Sequence, residues 1–356
     1  MRIIQLIDSL EIGGAERMAV NYANALLTKV DFSGLIATRN EGNLKNQLNN
    51  DVHYLFLDRK RTIDFNALIR LKNYCKLNKI DIIQAHSSSI FTASLVKMIY
   101  PRVKIIWHDH YGGIVSKRDD VIYIQVFSFF FSGIIAVNQE LKKWAIHKLF
   151  CKKNIYFSNF TSQSLGYKKD TILKGVEGKR ILCLANLRIQ KNHLMLVEVT
   201  IKLKNSHPDW SFHFVGKDFE DGCSEKLKNA IFENNLQNFI HLYNSRQDIE
   251  NIINQSDIAV FSSISEGLPV SLLEFGICKK AVLSTNVGEI PLIIEDKKNG
   301  LTVPSNDVDR FYEKLVILIE NEELRNDFGA SLFETISKKH SQDIVIENYL
   351  TWIKTI

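Results

Sequence analysis

Two carboxylates, Glu266 and Glu274, stand eight positions apart in the segment SEGLPVSLLE (residues 265–274). The run before it, DIAVF (257–261), predicts a short buried strand. Pro269 suits the first position of a helix, where no backbone N–H is needed, and the free N–H groups that follow would favour a phosphate. Carboxylates accept hydrogen bonds from hydroxyls, so Glu266 and Glu274 suit a sugar or ribose ring. The alternative is a surface turn with one capping and one solvated glutamate.

Arg188 and Lys191 form a second candidate site. They follow the run KRILCLAN (179–186), which predicts another buried strand, and they precede a predicted helix. Ligands of open α/β sheets bind beyond the carboxyl ends of the strands. Arginine offers a planar fork and lysine a point charge, so the pair suits a diphosphate and the charge that grows on it as it leaves. Two solvated loop cations are the alternative.

Glycines and histidines mark other predicted strand ends. Gly13 and Gly14 follow the first strand, where their backbone N–H groups would approach a diphosphate or sugar closely; a plain tight turn is the alternative. His86 ends another strand, and His108 and His110 flank an aspartate in WHDHYGG (107–113). No third ligand at a suitable spacing is evident, so we predict no metal site, and a structural role is the alternative for each histidine. The D-x-D sequence at 307–309 is interpreted as a helix start.

Bulk properties favour an ordinary globular protein of two domains. The chain has 356 residues, 45% hydrophobic and 24% charged, and five scattered cysteines without a C-x-x-C pair, which predicts reduced thiols and a cytoplasmic location. No signal peptide is visible. The uncharged stretch 121–138 predicts a buried helix followed by a core strand rather than a membrane span.

Positive charge is concentrated in the first half of the chain. Residues 1–165 hold 22 Lys and Arg against 13 Asp and Glu, a net of +9, whereas residues 166–356 hold 23 against 27, a net of −4. This asymmetry indicates an anionic partner for the first half. Because base-reading motifs are missing, we expect an acidic membrane surface rather than nucleic acid, with an ordinary solvated charge excess as the alternative.

Strands and helices alternate along the whole sequence, which predicts parallel sheets covered by helices. The expected fold is α/β, with two Rossmann-like domains facing a cleft. The predicted boundaries are 1–163 and 164–340, with a polar linker within 161–178 and a final amphipathic helix in 341–356.

Together, the segments 187–192 and 265–274 resemble those of the retaining glycosyltransferases of the GT-B fold, specifically family 4 (group 1 type), over nearly the whole chain. The resemblance implies that Arg188 and Lys191 bind the donor diphosphate, that Glu266 contacts the donor sugar and that Glu274 contacts the ribose. It also implies that the final helix crosses back to the first domain.

The same resemblance implies transfer of a sugar from a UDP- or GDP-sugar to a saccharide or lipid-linked saccharide in surface polysaccharide synthesis, without metal or cofactor. His110, with His108 as the alternative, would face the reacting sugar and join Arg188, Lys191 and Glu266 in catalysis. Gly13, His86 and His108 would lie on the acceptor side. The donor side would comprise Gly14, Gly216, Asn244, Arg246, Gly267, Leu268, Pro269, Val270 and Glu274. A nucleotide-sugar epimerase, an NAD-dependent oxidoreductase and a non-catalytic binding protein are the competing interpretations.

Overall fold

The structure of the chain, a computed structural model, describes residues 1–111, 118, 121–161 and 169–356. The chain forms two compact units. Unit 1 comprises Met1–Ser162 and Ser341–Ile356, and unit 2 comprises Gln163–His340. The predicted linker at 161–178 falls partly outside the described residues.

The described part of unit 1 is built on a parallel sheet of seven strands in the order β3-β2-β1-β4-β5-β6-β7. The inner strands are continuous runs of buried apolar residues, as expected where helices cover both faces of a parallel sheet. The strands are β1 (Arg2–Ser9), β2 (Phe32–Asn40), β3 (His53–Phe56), β4 (Ile82–His86), β5 (Lys104–Asp109), β6 (Phe131–Ala136) and β7 (Asn154–Tyr156).

Helices cover the two faces of this sheet differently. Ile4 and Leu6 of β1 pack in one hydrophobic cluster with four helices, whereas Ile7 packs on the opposite face with the first helix. The covering helices on the first face are α2 (Phe65–Leu77), α3 (Ile90–Ile99), α4 (Val121–Phe127) and α5 (Gln139–Lys148). The first helix, α1 (Gly14–Leu26), and the last, α12 (Gln342–Ile353), meet through the rings of Tyr22 and Tyr349 at 5.2 Å.

The final helix therefore packs on the first unit, as the resemblance implied. A Cβ on Gly133 of β6 would lie 2.7 Å from the Trp352 ring, so the indole of α12 rests directly on the strand backbone. Trp352 also meets the Phe157 ring edge-on at 6.0 Å. These aromatic contacts hold the end of the chain against β6 and β7.

The described part of unit 2 contains a parallel sheet of six strands in the order β10-β9-β8-β11-β12-β13. Its strands are β8 (Arg180–Leu184), β9 (Ser211–Val215), β10 (Ile240–Tyr243), β11 (Ile258–Phe261), β12 (Ala281–Thr285) and β13 (Leu301–Val303). Its helices are α6 (His193–Ser206), α7 (Gly222–Glu233), α8 (Ile249–Asn254), α9 (Val270–Ile277), α10 (Val308–Glu320) and α11 (Glu322–Lys339).

Three expectations need correction. The helix within 121–138 exists as α4, but it is not buried: Ile124 lies in the core, whereas Ile122 is 79% exposed. Pro269 is the residue before α9 rather than its first helical position. The 18-residue helix α11 was not predicted. Asp307 caps α10 by accepting a hydrogen bond from the Arg310 N–H, so the interpretation of 307–309 as a helix start is confirmed.

The five cysteines are free thiols. Within the described residues, no helix combines the length and the apolar composition that crossing a bilayer requires.

Candidate functional site

The order of strand addition reverses at one point in the parallel sheet of unit 2, between β8 and β11. From β8 the strands proceed outward to β9 and β10 on one side, and from β11 to β12 and β13 on the other. Connections on the two sides diverge there, and a crevice opens beyond the carboxyl ends of β8 and β11. Lys191 follows β8 and Glu266 follows β11, so the fold brings the two predicted sites to one crevice.

Lys191 and Glu266 are in direct contact. The Lys191 Nζ donates to both carboxylate oxygens of Glu266, at 2.6 and 2.7 Å. Ser263 adds a hydroxyl bond to the same carboxylate at 2.6 Å. The Glu266 side chain is 7% exposed and that of Lys191 22%, so each charge depends on the other for stabilisation. A bound ligand that offers both an anion and hydroxyls would match this pair.

The loops that carry this pair are tied together by residues that sequence reasoning missed. Ser262 donates its hydroxyl to the Lys191 carbonyl at 2.8 Å, and Thr285 donates to the Ser263 carbonyl at 2.7 Å. Gly288 has φ of +61°, and a Cβ there would lie 2.0 Å from the Glu266 carbonyl oxygen. Only glycine fits this close approach in this backbone conformation. The signal in the sequence was their position at the carboxyl ends of two strands: Ser262 follows β11, Thr285 ends β12 and Gly288 comes three residues later.

Arg188 stands apart from this network. Its guanidinium lies over the Phe219 ring, 4.0 Å from the ring centre, and the side chain is exposed. Arg188 borders a pocket of about 610 Å³ at the amino ends of α6 and α7, together with Asn192 and Asp221. The structure therefore pairs Lys191 with Glu266 but does not bring Arg188 into that pair, and Arg188 packs on Phe219 instead.

The second carboxylate of the motif, Glu274, lies one turn inside α9 and is half-buried. The helix begins at Val270, and as first-turn residues Val270 and Ser271 have no carbonyl four residues back within the helix. Leu268 and Pro269 are buried and fix the start of the helix against the core. The helix N-terminus thus presents N–H groups next to the loop that carries Glu266.

The remaining predicted donor residues follow β9 and β10. A Cβ on Gly216 would lie 2.2 Å from the Ala185 carbonyl oxygen, so this glycine lets the segments after β8 and β9 pack backbone to backbone. The Gly216 N–H donates to the Tyr243 carbonyl at 3.2 Å, which ties in the turn that carries Asn244 and Arg246. These residues border the same edge of the sheet as Lys191.

Unit 1 carries a histidine cluster at the carboxyl edge of its sheet. His86 ends β4, and its Nε2 bonds the Gln5 Oε1 at 2.8 Å. The His86 Nδ1 and the His110 Nε2 lie 3.0 Å apart, within hydrogen-bond distance. The His108 ring is tilted by 33° against that of His110, with 4.0 Å between ring centres, and its Nδ1 lies 3.0 Å from the Gln84 Nε2.

The expectation that no third residue joins His108 and His110 was wrong. Nitrogen atoms of His86, His108 and His110 lie within 4.8 Å of one another, although His86 is 24 positions from His110 in the chain. Burial lowers the pKa of all three rings, that of His110 to about 3. A ring with a pKa this low is mostly neutral at pH 7 and is a weak proton acceptor.

A pocket of about 320 Å³ opens above this cluster. Asp109 forms a buried ion pair of 2.6 Å with Arg118, whose guanidinium also lies 4.6 Å from the Tyr111 ring centre. Ser87, which follows His86, adopts φ of +49°, a conformation rarely used by residues other than glycine and asparagine. The described lining comprises Ser87, Ser88, Trp107, Asp109, His110, Tyr111, Arg118 and Tyr123.

Gly13 and Gly14 follow β1, at the point in the unit 1 sheet where the order of strand addition reverses, between β1 and β4. Gly13 precedes α1 in an extended conformation, and a Cβ on it would meet the Glu16 carboxylate. A Cβ on Gly14 would meet nothing within 4 Å, so open space lies next to this backbone. That space is available to a ligand at the start of α1.

Comparison with known proteins decides the family. Residues 12–156 match the family described as Glycosyltransferase Family 4, and residues 168–332 match Glycosyl transferases group 1. The Anabaena HepE protein in complex with UDP-glucose aligns with a TM-score of 0.82 over 100% of both chains, at 14% identity. The chain belongs to the GT-B glycosyltransferases.

Two relatives of this glycosyltransferase match it over most of its length. An uncharacterized glycosyltransferase of Haemophilus influenzae is 24% identical over 324 residues, 88% of each chain. The Escherichia coli UDP-Gal:alpha-D-GlcNAc-diphosphoundecaprenol alpha-1,3-galactosyltransferase is 24% identical over 354 residues, which cover 90% of this chain and 88% of the relative. The predicted fold class and the transferase activity are therefore confirmed.

The buried histidines should make stability of the glycosyltransferase depend on pH. Because folding lowers the pKa of His110, the unfolded chain binds more protons below about pH 6.5, and the free energy of unfolding falls as pH falls. Wild type should lose free energy of unfolding between pH 7 and pH 5, and we expect His110→Asn to reduce that loss by roughly 2 kcal/mol. Chemical unfolding at both pH values measures this, with the exposed His147→Asn as control. Equal losses in wild type and His110→Asn would contradict the assignment.

Proposed function

We propose that this glycosyltransferase binds the nucleoside diphosphate of a UDP- or GDP-sugar on unit 2, at the crevice between β8 and β11. The observation that carries the proposal is the Lys191–Glu266 pair of 2.6 Å at that crevice. Lys191 and Arg188 supply positive charge for the diphosphate, and the N-terminus of α9 adds backbone N–H groups. Glu266 accepts hydrogen bonds from sugar hydroxyls and Glu274 from the ribose.

The Lys191–Glu266 pair gives donor binding a specific order of events. Lys191 is held by Glu266. A diphosphate that draws Lys191 away would leave the Glu266 carboxylate, which is 7% exposed, with the Ser263 hydroxyl as its remaining side-chain partner among the described residues. Hydroxyls of the donor sugar then replace the lost ammonium partner. The pair thereby couples recognition of the diphosphate to recognition of the sugar.

Transfer in this proposal retains the configuration of the anomeric carbon. Arg188, Lys191 and the start of α9 stabilise the leaving diphosphate, so the reaction needs neither a metal nor another cofactor. The acceptor hydroxyl attacks from the face of the sugar that the diphosphate leaves. The new glycosidic C–O bond forms as the bond between the anomeric carbon and the phosphate oxygen breaks, and the departing phosphate oxygen takes the hydroxyl proton. His110, kept neutral by burial, accepts a hydrogen bond from the reacting sugar instead of serving as a base.

We assign the acceptor to unit 1 and propose that it is a saccharide carried on a lipid, as in assembly of surface polysaccharide. The name of the Escherichia coli relative specifies an undecaprenol-linked acceptor, which supports this class. The pocket above the histidines offers serine hydroxyls, Asp109 and aromatic rings, which together suit a sugar. Gly13 and His86 border this part of the unit. The net charge of +9 in residues 1–165 supports association of unit 1 with an anionic membrane surface.

Removing either cation should slow transfer. We expect Arg188→Ala and Lys191→Ala each to raise the barrier by about 2–4 kcal/mol, a rate loss of roughly 30- to 1,000-fold, because each stabilises the leaving diphosphate. Release of UDP or GDP in the presence of an undecaprenyl-diphosphate saccharide measures turnover. The matched control is Lys202→Ala, which removes an exposed lysine of α6 paired with Asp309 at the surface. Turnover near the wild-type value in both variants would overturn the diphosphate assignment.

Replacing Glu266 and replacing Glu274 should affect the affinity for different ligands. We expect Glu274→Ala to lower the affinity for the free nucleoside diphosphate about 10- to 100-fold, because a ribose hydroxyl loses a charged hydrogen-bond partner. Glu266→Ala should bind the free diphosphate at least as well as wild type, since Lys191 is released, and should lose affinity for the nucleotide-sugar. Calorimetry distinguishes the two, with the exposed Glu198→Ala as control. An equal loss of diphosphate affinity in both variants would reject this division.

A further inference from the structure

Exposed apolar side chains line the outer surface of α4 and its neighbour. Ile122 and Val126 are 79% and 58% exposed and lie four residues apart on one side of α4, and Phe129, in the 3-10 turn that follows α4, is 69% exposed. Phe150, which follows α5, is 49% exposed and stacks on Phe129 at 4.0 Å between ring centres. We call these four residues the α4 stripe. The two stacked rings are exposed, and no described residue covers them. Their burial against a partner would be favourable, because exposed apolar patches of this kind mark interaction surfaces.

The sequence that contains the α4 stripe is rich in lysine. Residues 121–153 contain five lysines and a single acidic residue, Glu140. Lys142, Lys143, Lys148 and Lys152 form no ion pair with any described residue. The wider segment 64–153 holds 14 Lys and Arg against 6 Asp and Glu, a net of +8. Nearly all the positive charge of the first half therefore belongs to the segment that contains α2–α5.

This combination fits one kind of partner. An anionic bilayer attracts lysines at its surface and accepts aromatic and aliphatic side chains at the boundary between headgroups and acyl chains. Lysine stems extend along apolar surface while their ammonium groups reach the headgroups. A second copy of the chain is disfavoured, because pairing this face with itself would oppose two sets of unpaired lysines. With seven residues, α4 is suited to lying in the interface.

The α4 stripe also begins beside the unit 1 pocket. The chain leaves the carboxyl end of β5 near His110, passes through α4 and enters β6 at its amino end. Tyr123 of α4 lines the pocket with His110, and Ile122 is its neighbour in the chain. Ile122, at the start of the stripe, therefore lies next to the pocket that we assign to the acceptor, whereas Phe129 and Phe150 lie at the amino edge of the sheet, where β6 and β7 begin.

We infer that the α4 stripe and the lysines of α5 form a docking surface for an anionic bilayer, with Phe129 and Phe150 entering the interface. The inference deepens the membrane association proposed above and rests on it for its biological purpose. It adds that membrane binding requires the insertion of apolar side chains at one defined face. If charge alone caused binding, the protein would bind equally well without the two phenylalanines.

Sedimentation of the full chain with vesicles tests the docking surface. Wild type should bind vesicles of phosphatidylglycerol and phosphatidylcholine at low salt and bind pure phosphatidylcholine poorly. Phe129→Ser with Phe150→Ser should weaken binding to the anionic vesicles at least tenfold. Lys148→Glu with Lys152→Glu should weaken it most at low salt, because salt screens the charge. The control, Phe232→Ser with Ile317→Ser, removes two exposed apolar side chains of unit 2 and should bind as wild type does.

Two further measurements separate the outcomes. Equal vesicle binding by wild type and the phenylalanine variant would overturn the docking surface and leave charge-driven association intact. A dimer of wild type that the phenylalanine variant loses in sedimentation equilibrium would also overturn it, by showing a second copy on the stripe. Turnover with a soluble saccharide acceptor should be unchanged in the phenylalanine variant. Vesicle binding without any transfer would refute the proposed function while supporting the docking surface.

Discussion

The candidate donor site depends on one partly buried ion pair, Lys191–Glu266, at the crevice between β8 and β11 of the unit 2 sheet. A carboxylate that is 7% exposed requires a partner, and Lys191 supplies it across the gap between β8 and β11. The loops that hold the pair have little freedom, because Gly288 presses against the Glu266 backbone and Ser262 fixes Lys191. The charges are therefore positioned before any ligand arrives, which lowers the cost of reorganisation during binding and reaction.

The two units apply the same architecture to different chemistry. Both place polar residues beyond the carboxyl ends of parallel strands, at the point where the connections diverge. In unit 2 the crevice holds full charges, which suit an anionic diphosphate. In unit 1 the corresponding edge holds His86, His108 and His110, whose lowered pKa values keep the rings neutral and suited to uncharged hydroxyls, beside the Asp109–Arg118 ion pair. The neutral rings support the proposal that the donor binds to unit 2 and the acceptor to unit 1.

Much of the fold was predictable, because buried parallel strands are continuous apolar runs separated by helices. Arg188, Lys191 and Glu266 were identified individually for the same reason: each follows such a run. The contact of Lys191 with Glu266 was not predictable, since it requires β8 and β11 to be neighbours although β9 and β10 intervene in sequence. His86 escaped notice as a partner of His110 through the same kind of long-range pairing. The exposure of α4 was missed because an uncharged segment has the composition of a core element whether or not anything covers it.

Hydrogen exchange with and without saturating UDP or GDP tests whether the nucleotide binds at the crevice between β8 and β11, because it locates the ligand without relying on a variant. We expect the nucleotide to slow exchange in residues 186–192 and 263–272, the two segments that carry Lys191 and Glu266. Residues 84–90 of unit 1, which include His86, should exchange at the same rate in both conditions. Protection confined to unit 1, with no change at either segment of unit 2, would show that the nucleotide does not bind at the Lys191–Glu266 pair.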